Sequence, residues 1–257
     1  MKDSQEYLNK KSFFESVITV YGRNVVVEVL EDENVTIHKL HLADSNKTDG
    51  VINTILKLAQ KRGVQIVYHD KNALSRISKN AKQDQGVCAD IIAKTYQNAD
   101  AILNLKEYRL LALDGVQNPQ NLGMIIRSAA AGNIDGIILP KKNSAKISPL
   151  VIKASAGTLF KIPIFYCNAL EDVLKKIKNV SDIFALSSYS KDDLNSLYQN
   201  GTSHVSKKAV FVLGNESEGV SKEVEKLCNA SVKIPMNRGV ESLNVAITAA
   251  LISFLPR

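Results

Sequence analysis

The chain has 257 residues, 45% of them hydrophobic, with a formal net charge of +7 and only three cysteines. Such a length buries one large core or two modest ones without disulfides or a metal, and the apolar fraction excludes a disordered chain. Cys88, Cys167 and Cys228 form no C-x-x-C pair and are expected as free thiols in a reducing cytoplasm.

The N-terminal stretch Met1 to Phe14 is polar and charged, a tail rather than a secretory signal. After it, 25–30 reads as a short helix, and the alternating run Val35 to Leu42 reads as a strand. Ile52, Ile55, Leu56 and Ala59 have the spacing of an amphipathic helix over 51–61 that stops at Gly63, and 64–68 returns to strand. This α-β-α-β order predicts a small α/β unit. Residues 93–108 show little periodicity and read as a connection between domains.

Beyond it the alternation is regular. Strands are expected over 109–113, 136–139, 183–186, 209–213 and 231–234, and helices over 124–131, 221–227 and 243–255. Helices interleaved with short β-branched runs predict a mostly parallel sheet covered on both faces, with its site at the carboxyl ends of the strands. The longest apolar stretch, Leu243 to Leu255, contains Asn244, Thr248 and Ser253, and it falls short of the about 20 residues of a membrane span. Being apolar nearly all round, it needs cover from its own domain or from a partner subunit.

Charge is uneven. Residues 94–257 hold 20 Lys and Arg against 14 Asp and Glu, whereas residues 1–93 hold 13 against 12. Lys141, Lys142, Lys146, Lys153 and Lys161 carry much of the excess, which fits a solvated lysine face as well as it fits an RNA footprint. The four histidines make no ligand set: His38 and His41, three apart on a strand, point to opposite faces, so no metal is expected.

Three strand-to-loop transitions concentrate Gly, Asn, Ser and a charged residue each. In the first, Leu113 to Arg127, Pro119 and Gly123 shape the turn, Asn121 is placed to cap the coming helix, and Arg127 offers five donors in a rigid fork. Alone, Arg127 fits an ordinary surface arginine. In the second, Phe211 to Gly219, two glycines let a ligand approach the backbone, while Glu216 and Glu218 repel phosphate and suit a cationic cofactor. Read alone, it is equally a plain turn with helix-capping acids. In the third, Ile234 to Val245, Ser242 is a natural N-cap and Asn244 an unusual residue inside an apolar helix, either a satisfied core amide or a ligand contact.

Together the three loops resemble the signature motifs of the SpoU (TrmH) family of RNA ribose 2′-O-methyltransferases in the SPOUT superfamily. The resemblance runs from about Leu110 to the C-terminus and includes Lys153-Ala-Ser-Ala-Gly157. The region from Tyr21-Gly-Arg-Asn24 through Asp84-Gln-Gly86 is similar to the family's substrate-binding domain, with Asp84 where members often have His.

The resemblance implies a polar tail over 1–16, an RNA-binding α/β domain over 17–93, a linker over 94–108, and an α/β trefoil-knot catalytic domain over 109–257. It implies S-adenosylmethionine held by Leu213, Gly214, Ile234, Met236 and Leu243, with catalytic roles for Asn121, Arg127, Glu216, Ser242 and Asn244. It further implies a cytoplasmic homodimer without metal, acting on RNA. The two-domain layout is similar to members that methylate a guanosine of 23S ribosomal RNA, with tRNA and resistance enzymes as alternatives. A nicotinamide-dependent dehydrogenase shares the sheet pattern but requires a G-x-G-x-x-G after an early strand, which this sequence lacks. A non-catalytic RNA-binding protein is the other competing reading.

Overall fold

The computed structural model describes residues 17–33, 35–79, 83–92, 96–199 and 202–257. The expected N-terminal tail, 1–16, and the stretch 93–95 at the start of the expected linker lie outside the described residues. The chain divides into two compact units, residues 1–94 and 95–257.

The first unit runs β1 (Val17–Tyr21), α1 (Arg23–Glu31), β2 (Thr36–Ala43), α2 (Gly50–Lys61), β3 (Ile66–His69), α3 (Lys71–Ser78) and β4 (Val87–Ile92). Its sheet has the order β1-β4-β2-β3, antiparallel except at the parallel β2–β3 pair. Helix α2 buries Ile52, Ile55 and Ala59, one stripe of a 3.6-residue period. Three elements were not expected from periodicity: β1, α3 and β4. Helix α3 is short and mostly polar, and local chemistry starts it. The Asp70 carboxylate caps it by accepting from Asn72 N at 2.8 Å and Ala73 N at 2.9 Å.

A polar chain crosses all four strands. Thr19 on β1 donates to Asp90 on β4 at 2.6 Å, Asp90 meets His41 Nε2 on β2 at 3.2 Å, and His41 Nδ1 meets His69 Nε2 on β3 at 2.9 Å. His41 is therefore a satisfied, buried histidine, and its register is displaced from that of His38 by an irregularity between Ile37 and Lys39. Among the described residues no group of three or more His, Cys, Asp or Glu is placed to hold a metal ion.

The second unit begins with β5 (Tyr96–Asn98) and a 3₁₀ turn over Ala99–Asn104, so the stretch expected as a linker is built into a domain. Then follow β6 (Tyr108–Leu113), α4 (Pro119–Ala131), β7 (Gly136–Pro140), α5 (Pro149–Ser155), β8 (Ile164–Cys167), α6 (Leu170–Ile177) and β9 (Asp182–Leu186). A small hairpin of β10 (Tyr198–Gln199) and β11 (Thr202–Ser203) precedes β12 (Lys208–Leu213), α7 (Lys222–Glu225), β13 (Ala230–Val232) and α8 (Val245–Ser253). The large sheet runs β13-β9-β12-β6-β7-β8-β5, and every pair in it is parallel.

Strand β6 is buried at every position, as a strand covered on both faces must be. Leu110 and Ala112 join Val210 and Val212 in a core with Leu170, Val173, Leu174 and Ile177 of α6. The alternate residues Leu111, Leu113 and Phe211 are equally buried and belong to the other face, where α4 packs on α5 and α8. Gly123 makes the α4–α5 approach possible, since a Cβ there would lie 2.4 Å from the Ala154 Cβ and 2.7 Å from the Val151 carbonyl oxygen. Among the described residues no helix is long and apolar enough to cross a membrane. The three thiols are free, and burial pushes Cys88 and Cys228 up to about 12 and Cys167 up to about 11, which leaves them protonated and unreactive at neutral pH.

Burial opposes ionisation of Asp90, but the hydrogen bonds from His41 and Thr19, with the nearby charge of His41 and His38, outweigh it and lower its pKa. A carboxyl lowered in the folded state adds stability above the unfolded value of about 3.9, and that stability is lost as the pH falls through the folded value. Thermal unfolding followed between about pH 5 and 3 should thus show a midpoint that falls less steeply for Asp90→Asn than for the unmodified chain.

Candidate active site

Strands β6 and β12 lie side by side at the centre of the large sheet with Leu113 opposite Leu213, so their exit loops start at the same level. Three bonds knit those loops. Asp114 N donates to the Leu213 carbonyl at 2.8 Å, Asn215 Nδ2 to the Gly115 carbonyl at 2.9 Å, and Ser221 N to the Asp114 carboxylate at 2.8 Å. The second loop closes on itself through paired backbone bonds between Asn215 and Gly219, at 3.0 and 2.9 Å. Gly214 is required there because a Cβ would fall 2.0 Å from the Gly219 carbonyl carbon. Glu216, Ser217 and Glu218 form the exposed tip.

A single hydrogen-bond chain joins all three candidate loops. The Glu216 carboxylate accepts from Asn121 Nδ2, Asn121 Oδ1 accepts from Asn244 Nδ2 at 3.2 Å, and Asn244 Oδ1 accepts from Ala246 N at 2.8 Å. Its direction is forced from one end. An ionised carboxylate can only accept, so Asn121 must present its amide nitrogen to Glu216 and its oxygen to Asn244.

Two expected caps are corrected by these contacts. Asn118, not Asn121, caps α4, accepting from Gln120 N at 2.8 Å and Asn121 N at 3.4 Å, and Asn121 sits buried inside the first turn. Asn244, not Ser242, caps α8. Both helices also have other bounds than expected. Helix α4 starts at Pro119 rather than Met124, which puts Arg127 in its third turn, and α8 spans Val245–Ser253 rather than 243–255. Asn118 followed by Pro119 was a legible start signal, a capping side chain ahead of a proline that gives up no hydrogen bond at the first helical position.

A cavity of about 510 Å³ opens beside the chain of amides. Leu213, Gly214, Ile234, Met236 and Leu243 all line it, as do Glu216 and Ser242. Asn121 and Asn244 stand behind Glu216 outside the lining. Arg127 is neither in the lining nor in the hydrogen-bond chain, and its side chain is exposed on α4 without a hydrogen bond or ion pair to any described residue. Among charged groups in the lining, Glu216, Glu218, Glu225 and Glu241 outnumber Lys222 and Lys233, giving the cavity an acidic wall. Glu225, on α7, lies beyond the second loop, whereas Glu241 lies within the third, two residues after Gly239, and no local pattern marks either as part of the wall.

Helix α8 buries Val245, Ala246, Ala249 and Ile252 against its own unit, while Ile247 (47%), Leu251 (45%) and Phe254 (62%) are exposed. Its own domain thus covers one side and leaves an apolar face open.

Residues 108–254 match the profile of the SpoU rRNA Methylase family, and residues 19–97 match that for RNA 2′-O ribose methyltransferase substrate binding. A Bacillus subtilis protein assigned to the TrmH family of tRNA/rRNA methyltransferases is 29% identical over 91% of this chain and 93% of its own. A Staphylococcus saprophyticus relative of the same description is 30% identical over 92% and 94%. Among solved structures, the AdoMet-bound rRNA methyltransferase of Sinorhizobium meliloti superposes with a TM-score of 0.67 at 23% identity, over 95% of this chain and 88% of that one. The SpoU methyltransferase AviRb of Streptomyces viridochromogenes, in complex with AdoMet, gives 0.68 at 20% identity over 95% and 90%. The likeness to these structures is one of fold.

Replacing Gly214 by Ala forces a methyl group into backbone that cannot yield without opening the Asn215–Gly219 pair. The expected cost is about 1–3 kcal/mol, read as a lower midpoint in thermal unfolding. Ser217→Ala, at the exposed tip, should stay within about 0.5 kcal/mol of the unmodified chain.

Proposed function

The chain belongs to the SpoU rRNA Methylase family and is an RNA methyltransferase, and from that premise we propose that it methylates a ribose 2′-hydroxyl, in a guanosine of 23S ribosomal RNA, with S-adenosylmethionine as donor. The observation that carries this reading is the hydrogen-bond chain Glu216–Asn121–Asn244, which ties three loops together at the edge of one cavity. The match of residues 19–97 to a 2′-O ribose substrate-binding domain favours the ribose hydroxyl as acceptor. Resemblance in layout alone favours the 23S guanosine.

The cavity fits the donor by size and charge. Its volume of about 510 Å³ lies inside the range of about 300–1,000 Å³ usual for small-molecule sites. S-adenosylmethionine carries a sulfonium and an ammonium group, and the acidic wall suits such cations where it would repel the phosphates of a nucleotide cofactor. Leu213, Gly214, Ile234, Met236 and Leu243 would hold it, largely through backbone groups that the closed glycine loop exposes. When bound, it supplies an electrophilic methyl group on sulfur.

A ribose hydroxyl is a weak nucleophile, so the protein must orient it and stabilise charge as its proton leaves. Arg127 takes that role in our reading, holding the neighbouring phosphate and the developing oxyanion, since a protonated guanidinium donates five hydrogen bonds and accepts no proton. Glu216 orients the arginine, and Asn121, Asn244 and Ser242 hold the loops and the sugar. Arg127 lies outside the cavity of its own chain, and α8 has an open apolar face; both favour a homodimer whose site draws on two subunits. The deep trefoil knot of the family belongs to the same proposal, favoured by the return of the chain after β13 to pack α8 on α4 and on β12 at the middle of the sheet.

Calorimetric titration with S-adenosylmethionine should give one site per chain, and absence of heat would favour an RNA-binding protein without activity. Mapping 2′-O-methyl positions in 23S ribosomal RNA from cells with and without the gene should reveal one lost position, and an unchanged map would remove the 23S assignment. Arg127→Ala should slow turnover about 10²–10³-fold with little change in donor affinity. Near-full turnover in Arg127→Lys would count against a role that depends on the fork of the guanidinium.

A further inference from the structure

The second unit divides its charge between two neighbouring surfaces. The cavity wall is acidic, whereas the sequence from 115 to 170 contains a single acid, Asp135, against Arg127, Lys141, Lys142, Lys146, Lys153 and Lys161. Asp135 does not neutralise them: its carboxylate accepts from the backbone N of Arg109 at 2.8 Å and from Arg257 Nη2 at 2.5 Å. We infer that the loop between β7 and α5, with Lys141, Lys142 and Lys146, is the surface on which the catalytic domain seats the RNA phosphate backbone. This rests on the reading above that RNA is the methyl acceptor, and it adds the place where that RNA lies.

Position is the first argument. Strand β7 ends at Pro140, so its exit loop emerges at the same carboxyl edge of the sheet as the loops of β6 and β12. Ala145 N donates to the Val116 carbonyl at 2.8 Å, which fixes the lysine loop directly against the turn that leads to Asn121.

What marks this surface is the scarcity of acids along the chain around it, Asp135 alone between 115 and 170. Elsewhere in the same unit three surface lysines have carboxylate partners, Lys176 with Asp100 at 2.6 Å, Lys233 with Asp193 at 3.9 Å and Lys207 with Glu107 at 4.0 Å, while others such as Lys106, Lys175 and Lys191 have none among the described residues. Lys141, Lys142, Lys146 and Lys153 are all exposed and make no hydrogen bond or ion pair with any described residue. A cluster of cations kept clear of acids over so long a stretch is poised for an external polyanion, which gains by releasing its condensed counterions. The same loop also holds two buried hydroxyls. Ser144 and Ser148 have no hydrogen-bond partner among the described residues, although Ser148 stands at the N-cap of α5.

The test is a salt titration of binding to bulk 23S ribosomal RNA, by filter retention, with the full chain. Each phosphate contact contributes about 0.7–0.9 to the slope of log affinity against log salt. The triple variant Lys141→Gln, Lys142→Gln, Lys146→Gln should therefore lose about 2 from that slope and bind about tenfold or more weakly at physiological salt, with S-adenosylmethionine affinity unchanged by calorimetry. A control variant with the same charge loss, Lys106→Gln, Lys175→Gln, Lys207→Gln, alters lysines of the same unit outside the loop and should keep the original slope. Equal slopes for the loop variant and the unmodified chain, or an equal loss in the control, would overturn the assignment while leaving RNA as the acceptor. Failure of the unmodified chain to bind the RNA at all would remove both the surface and the 23S reading.

Discussion

One carboxylate organises the candidate site. Glu216 can only accept hydrogen bonds, and it is reached by an amide that has two faces to use, so the orientation of Asn121 determines that of Asn244 and, through Asn244, the start of α8. Three loops, the first and last of them nearly half the chain apart, are thereby held in one relative position. The arrangement needs few residues, but each has to sit on a rigid support. The central pair β6 and β12 and the short closed loop after Gly214 are those supports.

The parallel sheet explains why the loops meet at all. In a sheet whose strands all run the same way, every exit loop appears at one edge, and neighbouring strands need no chemistry of their own to bring their loops together. Register then sets the height: Leu113 opposite Leu213 brings Asp114 and Gly115 level with Gly214 and Asn215. Two surfaces of opposite sign grow from the same edge, an acidic cavity on the β12 side and a lysine loop after β7. In the proposed reading a cationic donor and a polyanionic acceptor are received on separate sides of a shared turn.

The first unit follows a different logic. Its four-stranded sheet spends one chain of side chains, Thr19, Asp90, His41 and His69, on polar contacts that run from edge to edge. Such a network stabilises only when each member has its partner, and here the buried His41 is bonded at both ring nitrogens. Charge in residues 1–93 is nearly balanced, 13 Lys and Arg against 12 Asp and Glu.

Composition and periodicity made the α/β class and the position of the long central strands legible, because burial on both faces of a parallel strand leaves a strong local mark, while the residues that line the cavity were implied by the resemblance of the three loops to a known family. The two caps were misassigned for a local reason too: Asn118 competes with Asn121, and Asn244 with Ser242, within three residues of each other, and only the backbone geometry decides which side chain reaches a free N–H. Strands β1, β4, β5 and β8 and helices α3, α5 and α6 escaped because elements of eight residues or fewer carry little periodic signal. The Asn121–Glu216 and Asn121–Asn244 bonds link residues 95 and 123 positions apart. No local pattern encodes such a pairing; it follows from the strand order that sets β6 beside β12, and from the packing that returns α8 to α4, both decided by burial across the whole domain.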